Sequence, residues 1–209
     1  MARQPAISDR MKDFWDERYA APGFAYGETP NDFLVEVADR LPPGPVLCLA
    51  EGEGRNAVFL ARRGHAVTAV DQSAVGLQKA QALAARHGTT LTIIVADLAE
   101  FDLGRGWAAI VSIWCHVPRA LRERLHAAIP AALAPGGAFV VEAYTPAQIA
   151  LGTGGPRDPD LLMGAAALEL ELPGLRWERL EERERMVHEG PFHDGRSAVV
   201  SGLGFVPRG

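Results

Sequence analysis

The stretch that most constrains the fold is residues 45–71, PVLCLAEGEGRNAVFLARRGHAVTAVD. It begins with a continuous apolar run, residues 46–50, which is typical of a strand buried on both faces of a parallel sheet. Glycines follow at positions 52 and 54, and a helix-forming segment then leads to a second apolar run that ends at Asp71. The pattern predicts a strand, a glycine turn, a helix and a second strand.

The glycine turn and Asp71 together predict a site for a nucleoside cofactor. Gly52 and Gly54 can adopt backbone angles that other residues avoid, and they place no Cβ between the chain and a ligand. The helix that follows directs its free N–H groups and its positive dipole end at the turn. Asp71 comes about one βαβ unit later, where a carboxylate can accept hydrogen bonds from both hydroxyls of a ribose.

Composition limits the class of protein and its partners. The 209 residues, 48% hydrophobic and 22% charged, predict one globular domain rather than a disordered or fibrous chain. The net charge of −5, with no basic cluster, disfavours nucleic acid and anionic membrane surfaces as partners. No apolar run approaches the ~20 residues of a membrane span.

The chain start and the cysteines bear on its compartment. Residues 1–13 lack the hydrophobic core of a signal peptide, so we expect a cytoplasmic protein. Cys48 and Cys115 both fall in strand-like runs, which indicates no disulfide framework. No grouping of His, Cys, Asp and Glu has the spacing of metal ligands, so we expect no metal.

Strands and helices alternate along the chain, which predicts a parallel, doubly wound α/β sheet. The predicted strands are residues 46–50, 66–70, 91–95, 108–114 and 138–143, followed by 176–188 and 197–205. The last two are joined by a short turn and predict an antiparallel hairpin. A helix beginning at Pro118 should kink or end at Pro130, which removes a backbone donor.

The segment before this sheet is predicted to be a helix, a loop and a second helix. Trp15 and Tyr19 belong to an apolar-aromatic stripe at helical spacing that begins near residue 9. A Pro/Gly-containing loop follows. Thr29 then precedes Pro30, a pair typical of an N-cap and a first-turn proline.

Two cofactors are compatible with the glycine turn. Residues 52–57 fit G-x-G-x-x-A, so an NAD(P)-binding oxidoreductase is one alternative. Glu51 and Glu53 argue against it, because a pyrophosphate would meet two carboxylates there, whereas a ligand with an ammonium group would be attracted. Asp97, at the end of the third strand, can accept a hydrogen bond from an adenine amino group.

Five segments carry a resemblance to a known family: WDERYAAPGFAYGETPNDFL, LCLAEGEGRN, VDQS, IWCHVP and TGGPRDPDLL. They resemble the class I S-adenosylmethionine-dependent methyltransferases, and within them a bacterial branch similar to the tellurite-resistance and thiopurine methyltransferase group. The family's acidic-Gly-x-Gly turn is present with Glu51 as its acidic residue. Arg55 and Asn56 stand where many members carry a third glycine.

The resemblance implies the fold and its division. We expect a Rossmann-like, seven-stranded, mostly parallel sheet in the order 3-2-1-4-5-7-6, with an antiparallel terminal hairpin. Residues 1–209 would form a single methyltransferase domain. An N-terminal helix and lid would occupy about residues 1–29, and a substrate-side loop and helix about residues 146–170.

The resemblance also implies how S-adenosyl-L-methionine is bound. Glu51 would lie near the ammonium group of the cofactor, and Gly52 and Gly54 would let the backbone approach its methionine portion. The remaining expected contacts are Asp71 and Gln72 at the ribose, Asp97 and the Leu98 amide at the adenine, and Cys115 near the methyl group.

The sequence gives weaker signals for the residues that would contact the methyl acceptor. His116, just after the fourth strand, is the first candidate for a general base or a substrate anchor; the alternative is a histidine hydrogen-bonded in a loop. Tyr26 is a second catalytic candidate, and Trp15, Tyr144 and Arg157 are substrate candidates. For Trp15 and Arg157 the alternatives are ordinary packing and a solvated loop cation. His188 and His193 are interpreted as surface residues of the terminal turn.

These patterns predict a methyltransferase acting on a small molecule, since few residues are left for a substrate domain. By resemblance, the favoured acceptor is a thiol or a tellurium or selenium oxyanion. We expect a monomer or homodimer, with neither nucleic acid nor membrane as a partner.

Overall fold

The computed structural model describes residues 7–208, and its side chains from residue 11 onward. Within that range seven strands form one sheet. The strands are β1 (Pro45–Leu49), β2 (Ala66–Asp71), β3 (Thr92–Val95), β4 (Trp107–Ile113), β5 (Leu133–Tyr144), β6 (Arg176–His188) and β7 (Asp194–Phe205). The helices are α1 (Ile7–Ala20), α2 (Asp32–Val37), α3 (Arg55–Arg62), α4 (Ala74–Arg86), α5 (Arg119–Ala132), α6 (Gln148–Leu151) and α7 (Ala165–Glu171).

The sheet has the order β3-β2-β1-β4-β5-β7-β6, which confirms the predicted topology. Strands β1 to β5 pair in parallel, while β7 is antiparallel to both β5 and β6. The order reverses between β1 and β4, which are neighbours. Ligands of open α/β sheets bind beyond the carboxyl ends of strands at such a switch point. The glycine turn after β1 and the residues after β4 therefore meet there.

The central strands are buried on both faces because helices cover both sides of the sheet. On one face Leu47, Ile110 and Phe139 belong to a core completed by residues of α5 and α7. On the other face Val46 and Val111 belong to a core completed by residues of α2, α3 and α4. Successive strand residues point to opposite faces, which explains why the predicted strands are continuous apolar runs.

Three local predictions differ from the structure. The side chain of Asn31, and not that of Thr29, caps α2 by accepting a hydrogen bond from Leu34 N at 3.0 Å. Helix α5 continues through Pro130 to Ala132; in the last turn the proline removes only one helical donor. Strand β5 starts at Leu133, five residues earlier than predicted, because Leu133 pairs with Trp107 before a register shift.

The described part of the chain holds no helix with both the length and the apolarity needed to cross a bilayer.

Gly54 begins α3 at a left-handed φ of 89°, and an ideal Cβ there would lie 2.4 Å from the Cβ of Ala80 on α4. We expect Gly54→Ala to lower the free energy of unfolding by about 2–5 kcal/mol, because backbone strain adds to overpacking. Gly64→Ala is the matched control, since its φ is 93° but its Cβ would meet nothing within 4 Å. The control should lose only about 1–2 kcal/mol in urea unfolding. Equal losses would contradict the role assigned to the helix contact.

Candidate active site

The glycine turn is held in place by Asp71. Gly52 N donates to Asp71 Oδ2 at 2.9 Å, and Ser73 N donates to Asp71 Oδ1 at 2.8 Å. Burial raises the pKa of Asp71 to about 6, although these donors act to lower it. Asp71 is thus a buried carboxyl at the carboxyl end of β2, with one backbone hydrogen bond on each oxygen. A carboxylate has about four lone-pair positions, so capacity remains for ribose hydroxyls.

Glu51 caps the helix that follows the turn. Its Oε1 accepts from Ala57 N at 2.8 Å. Burial raises the pKa of Glu51 to about 7, and the neighbouring Asp71 adds to the rise, whereas Arg55 opposes it. Two carboxyls on this edge of the sheet therefore titrate close to neutral pH.

Glu53 has a different role from the one its place in the turn suggests. Its Oε2 accepts from Ala25 N at 2.7 Å, and its Oε1 lies 2.9 Å from Lys79 Nζ. Glu53 thereby fastens the N-terminal loop to α4. Glu51 and Glu53 are the two acidic residues that disfavour a pyrophosphate. Glu53 is paired with Lys79, so of these two only Glu51 has no salt bridge among the described residues.

Tyr19 of α1 lies directly over the turn. An ideal Cβ on Gly52 would be 2.5 Å from the Tyr19 hydroxyl oxygen, and one on Gly76 would be 2.8 Å from Tyr19 Cδ2. Trp15 stacks on Tyr19 with ring centroids 5.5 Å apart. The turn is therefore roofed by aromatic rings, and glycine is needed on both sides of the Tyr19 ring.

Tyr26 connects this roof to the end of β4. Its ring centroid is 6.5 Å from that of Tyr19 and 4.5 Å from that of His193. Its hydroxyl accepts a hydrogen bond from Arg18 Nη1 at 2.8 Å.

The expected adenine end lies at the carboxyl end of β3. Asp97 Oδ1 accepts from Ala99 N at 2.8 Å, and Leu98 O accepts from Arg124 Nη2 at 2.6 Å. A depression of about 540 Å³ opens here and is lined by Val95, Ala96, Asp97, Glu100, Phe101 and Asp102. Gln72, directly after Asp71, is half-buried.

Four rings cluster beyond the ends of β4 and β5: those of Trp114, His116, Tyr144 and His193. Trp114 and Tyr144 stack at 4.4 Å, His116 and Tyr144 at 5.5 Å, and Trp114 meets His193 edge-on at 5.1 Å. Trp114 adopts a left-handed φ of 57°. Such strain in a bulky residue persists only where its surroundings hold it.

Both histidines of this cluster are neutral and have one nitrogen without a partner. His116 Nδ1 lies 2.9 Å from Leu161 O, whereas its buried Nε2 has no hydrogen-bond partner among the described side chains and backbone of residues 11–208. Burial lowers the pKa of His116 to about 4. His193 Nδ1 is likewise buried with no partner in that range, and burial lowers the pKa of His193 to about 3.

His193 is the residue that sequence reasoning missed. The sequence predicts a surface residue, but His193 is only 7% exposed, whereas His188 is exposed and pairs with Asp194. The hairpin turn folds back onto the N-terminal loop, so that a Cβ on Gly190 would be 2.7 Å from Ala25 O. Arg55 was the available signal that this turn folds back. It stands where many family members carry a glycine, and its ionic partner, Glu189, lies in the turn.

Arg55 belongs to a buried ionic network, which we call the arginine–glutamate network: Arg55, Arg185, Glu142 and Glu189. Arg55 Nη2 lies 2.5 Å from Glu189 Oε2, and Arg185 Nη2 lies 2.6 Å from Glu142 Oε2 and 3.1 Å from Glu189 Oε1. Glu142 is fully buried in this network and hence unavailable as a base.

Asn31 and Trp114 join the network through neutral donors. Asn31 Nδ2 donates to Glu142 Oε2 at 2.6 Å and to Glu189 Oε1 at 2.8 Å. Trp114 Nε1 donates to Glu189 Oε2 at 2.6 Å. Glu189 thus fixes the Trp114 ring, which is the centre of the aromatic cluster.

The other candidates lie at its margins. Cys115 is buried, and burial raises the pKa of its thiol to about 12, so it stays protonated. Arg157 is exposed on the loop after α6. The side chains described, those of residues 11–208, include no cluster of three or more His, Cys, Asp and Glu residues that would hold a metal ion.

Comparisons with known proteins find methyltransferases. A family model described as "Methyltransferase domain" matches residues 46–137. A 2-heptyl-1-hydroxyquinolin-4(1H)-one methyltransferase of Mycobacteroides abscessus is 29% identical over 171 residues, which is 74% of this chain and 75% of the relative.

Solved structures share the fold. One, described as "Conversion of a Disulfide Bond into a Thioacetal Group during Echinomycin Biosynthesis", has a TM-score of 0.76 at 18% identity, covering 97% of this chain and 92% of that chain. The N-methyltransferase NodS of Bradyrhizobium japonicum WM9, bound to S-adenosyl-L-homocysteine, has a TM-score of 0.68 at 14% identity, over 94% and 98% of the two chains.

The donor set fits S-adenosylmethionine better than a dinucleotide. The turn presents a buried carboxyl with free acceptor capacity, a second carboxyl and aromatic ring faces, and these suit ribose hydroxyls and a cationic group. A pyrophosphate would meet the same carboxyls as like charges. The NAD(P) alternative is therefore not supported.

Cofactor affinity should depend on pH, because the ionised forms of Glu51 and Asp71 suit a cationic ligand. Without a ligand, the pKa values of Glu51 and Asp71 are about 7 and about 6, so binding of a cationic ligand should release protons below neutral pH. We expect the affinity for S-adenosylhomocysteine to be constant above about pH 7.5 and to fall below it, up to about tenfold per pH unit for each proton. Calorimetric titration from pH 8 to pH 5 measures this.

Glu51→Gln is the control for that titration, since it removes the upper of the two ionisations while keeping the shape of the side chain. Its affinity should stay constant down to about pH 6.5, half a unit above the pKa of Asp71. An affinity that is independent of pH in the unsubstituted protein would show that neither carboxyl needs to be ionised.

Proposed function

Because this chain is a class I S-adenosylmethionine-dependent methyltransferase that acts on a small molecule, we propose that its acceptor is electrically neutral and is methylated at an O–H or S–H group. The observation that carries the proposal is the pair of buried, neutral histidines with unpartnered nitrogens, His116 Nε2 and His193 Nδ1. Buried polar atoms are almost always hydrogen-bonded, so these two favour a ligand with polar groups at the same place.

The charges around the cluster favour a neutral acceptor. Arg55 and Arg185 each have a buried glutamate partner, so neither offers an unpaired charge to an anion. Both histidines are neutral at physiological pH. A tellurium or selenium oxyanion, the other acceptor class expected from the resemblance, would find no unpaired arginine in the cluster and only the sulfonium of the cofactor as a counter-charge, so its burial would be costly. A thiol remains compatible.

The curated relative supports a ring-borne hydroxyl in particular. By its name that enzyme acts on a 1-hydroxyquinolin-4-one, a small hydroxylated heteroaromatic. The cluster of Trp114, Tyr144 and the two histidines offers ring faces for such an acceptor. Aromatic pairs of this kind contribute about 0.5–1.5 kcal/mol beyond their buried area.

In this proposal, His116 accepts the proton of the acceptor. The bound cofactor supplies a methyl group on a sulfonium whose positive charge disappears on transfer. The acceptor O–H or S–H becomes far more acidic as its oxygen or sulfur is methylated, so even a weak base can take the proton at that stage. His116 Nε2 offers the lone pair, while its Nδ1–H is held by Leu161 O.

Tyr26 acts by position in this proposal. Burial raises the pKa of the Tyr26 hydroxyl although Arg18 acts to lower it, so the hydroxyl stays protonated and is no base. The Tyr26 ring lies between Tyr19 on the proposed cofactor side and His193 on the proposed acceptor side. We infer that its face contacts the sulfonium by a cation–π interaction and helps to exclude water. Residues 7 to about 29 then serve as a lid, and residues 1–6 of the expected lid lie outside the described residues.

A panel of acceptors tests the proposal: hydroxylated quinolines and phenols, aromatic thiols, tellurite and selenite, each with S-adenosylmethionine and full-length protein. We expect methylated product, measured by mass spectrometry, from hydroxylated rings or thiols. Tellurite or selenite methylation at a comparable kcat/KM would contradict the charge argument.

His116→Phe keeps a ring in the stack and removes the lone pair. We expect kcat to fall about 10²–10⁴-fold, as for loss of a general base, with cofactor affinity unchanged. His188→Phe is the control, because it makes the same substitution at an exposed histidine at the end of β6, outside the cluster. A fully active His116→Phe variant would return His116 to a packing role.

A further inference from the structure

The segment that orients the His116 ring is itself fixed by hydrogen bonds from other residues. His116 Nδ1 lies 2.9 Å from Leu161 O, and residues 160–162 are the end of the loop that follows α6. A neutral histidine carries its proton on the nitrogen that has an acceptor, so a fixed Leu161 carbonyl fixes the tautomer. Whatever holds that carbonyl therefore decides whether Nε2 carries a lone pair or a proton.

Arg122 of α5 donates hydrogen bonds to this segment at the residues before and after Leu161. Its Nη1 donates to Leu162 O at 3.2 Å and to Asp160 O at 3.4 Å. Met163 N donates to Tyr144 O at 3.2 Å, which ties the next residue to the end of β5. The residues on both sides of Leu161 are thus bonded to the Arg122 guanidinium, and the next residue is bonded to β5.

Arg122 is itself held in one orientation by its hydrogen bonds to the Glu171 carboxylate. It is 3% exposed, and its Nη2 donates to Glu171 Oε1 at 2.8 Å while its Nε reaches both Glu171 oxygens. His126 Nδ1 lies 2.6 Å from Glu171 Oε2. Burial acts to raise the pKa of Glu171, but the hydrogen bonds from His126 and Arg122 lower it to about 2, so it stays ionised. A buried pair of this kind is rigid because separating it leaves an uncompensated charge.

We propose that Arg122 is a positioning residue of the active site: through the 160–162 segment it presents Leu161 O to His116 Nδ1–H and so keeps the lone pair on His116 Nε2. Arg122 touches neither acceptor nor cofactor in this arrangement. The catalytic meaning of the tautomer rests on the proposed function, but the tautomer itself does not.

The guanidinium is needed for its geometry as well as its charge. One edge of the planar fork binds the Glu171 carboxylate while the other reaches two carbonyls, which a lysine ammonium cannot do at once. Arg122→Lys therefore keeps the buried positive charge for Glu171 and loses the hold on the loop. This variant separates positioning from simple charge balance.

The test is nitrogen NMR of the histidine rings in full-length, ¹⁵N-histidine-labelled protein at pH 7.5, with His116→Phe used to assign the His116 signals. We expect the unsubstituted protein to show His116 as the neutral tautomer with a protonated Nδ1 and an unprotonated Nε2. In Arg122→Lys we expect mixed tautomers and a kcat lowered about 10–100-fold with unchanged cofactor affinity.

Arg119→Gln is the matched control. Arg119 lies on the same helix and contacts the same loop, through an exposed ion pair with Asp160 at 3.5 Å. Its loss should leave both the tautomer and kcat unchanged. A change equal to that of Arg122→Lys would overturn the proposal, because any loosening of the loop would then suffice.

Two further results would overturn the inference. One is an Nε2-protonated His116 in the unsubstituted protein, which can be read even if Arg122→Lys does not fold. The other is a folded Arg122→Lys protein with the His116 tautomer unchanged. If the tautomer shifts as expected while no acceptor in the panel is methylated, the proposed function fails and the positioning role of Arg122 stands.

Discussion

The buried pairing of Arg55 with Glu189 is the interaction on which the rest of the site depends. It joins the first residue of α3, directly after the glycine turn, to a hairpin turn 134 residues later. Neither ion can be buried alone, because desolvation of an unpaired charge costs several kcal/mol. The two segments are therefore brought together or both are exposed, and the hairpin turn that carries His193 closes over the end of β4 as a consequence.

The same network determines the electrostatic character of the site. Two arginines and two glutamates balance each other, with Asn31 and Trp114 as neutral donors. The proposed acceptor side is then left with neutral rings and two unpaired histidine nitrogens, while the proposed cofactor side has carboxyls that titrate near neutral pH. That division suits a reaction in which a cationic methyl donor meets a neutral nucleophile and water is excluded.

Prediction from the sequence succeeded where the signal was local. The glycine turn, the strand ending at Asp71 and the terminal hairpin all follow from patterns within a few residues, and the resemblance supplied the strand order that the structure confirms. It failed for His193, for the cap at Asn31 and for the orientation of Glu53. His193 and Glu53 contact partners 25 or more residues away, such as Ala25 for Glu53. The cap itself is local, but the Asn31 amide that makes it is held by the distant Glu142. No periodicity encodes such distant contacts.

By itself, the sequence determined the class of fold and the glycine turn between β1 and α3, because backbone angles, strand burial and helix dipoles depend on residue type and spacing. The tertiary structure alone decided the ring cluster at the ends of β4 and β5, where we propose that the acceptor binds. There the chain brings together the ends of β4 and β5, the hairpin turn and the 160–162 segment, and their histidines take their protonation and tautomer from burial and from the Leu161 carbonyl. Those properties belong to an environment and arise only when distant segments meet.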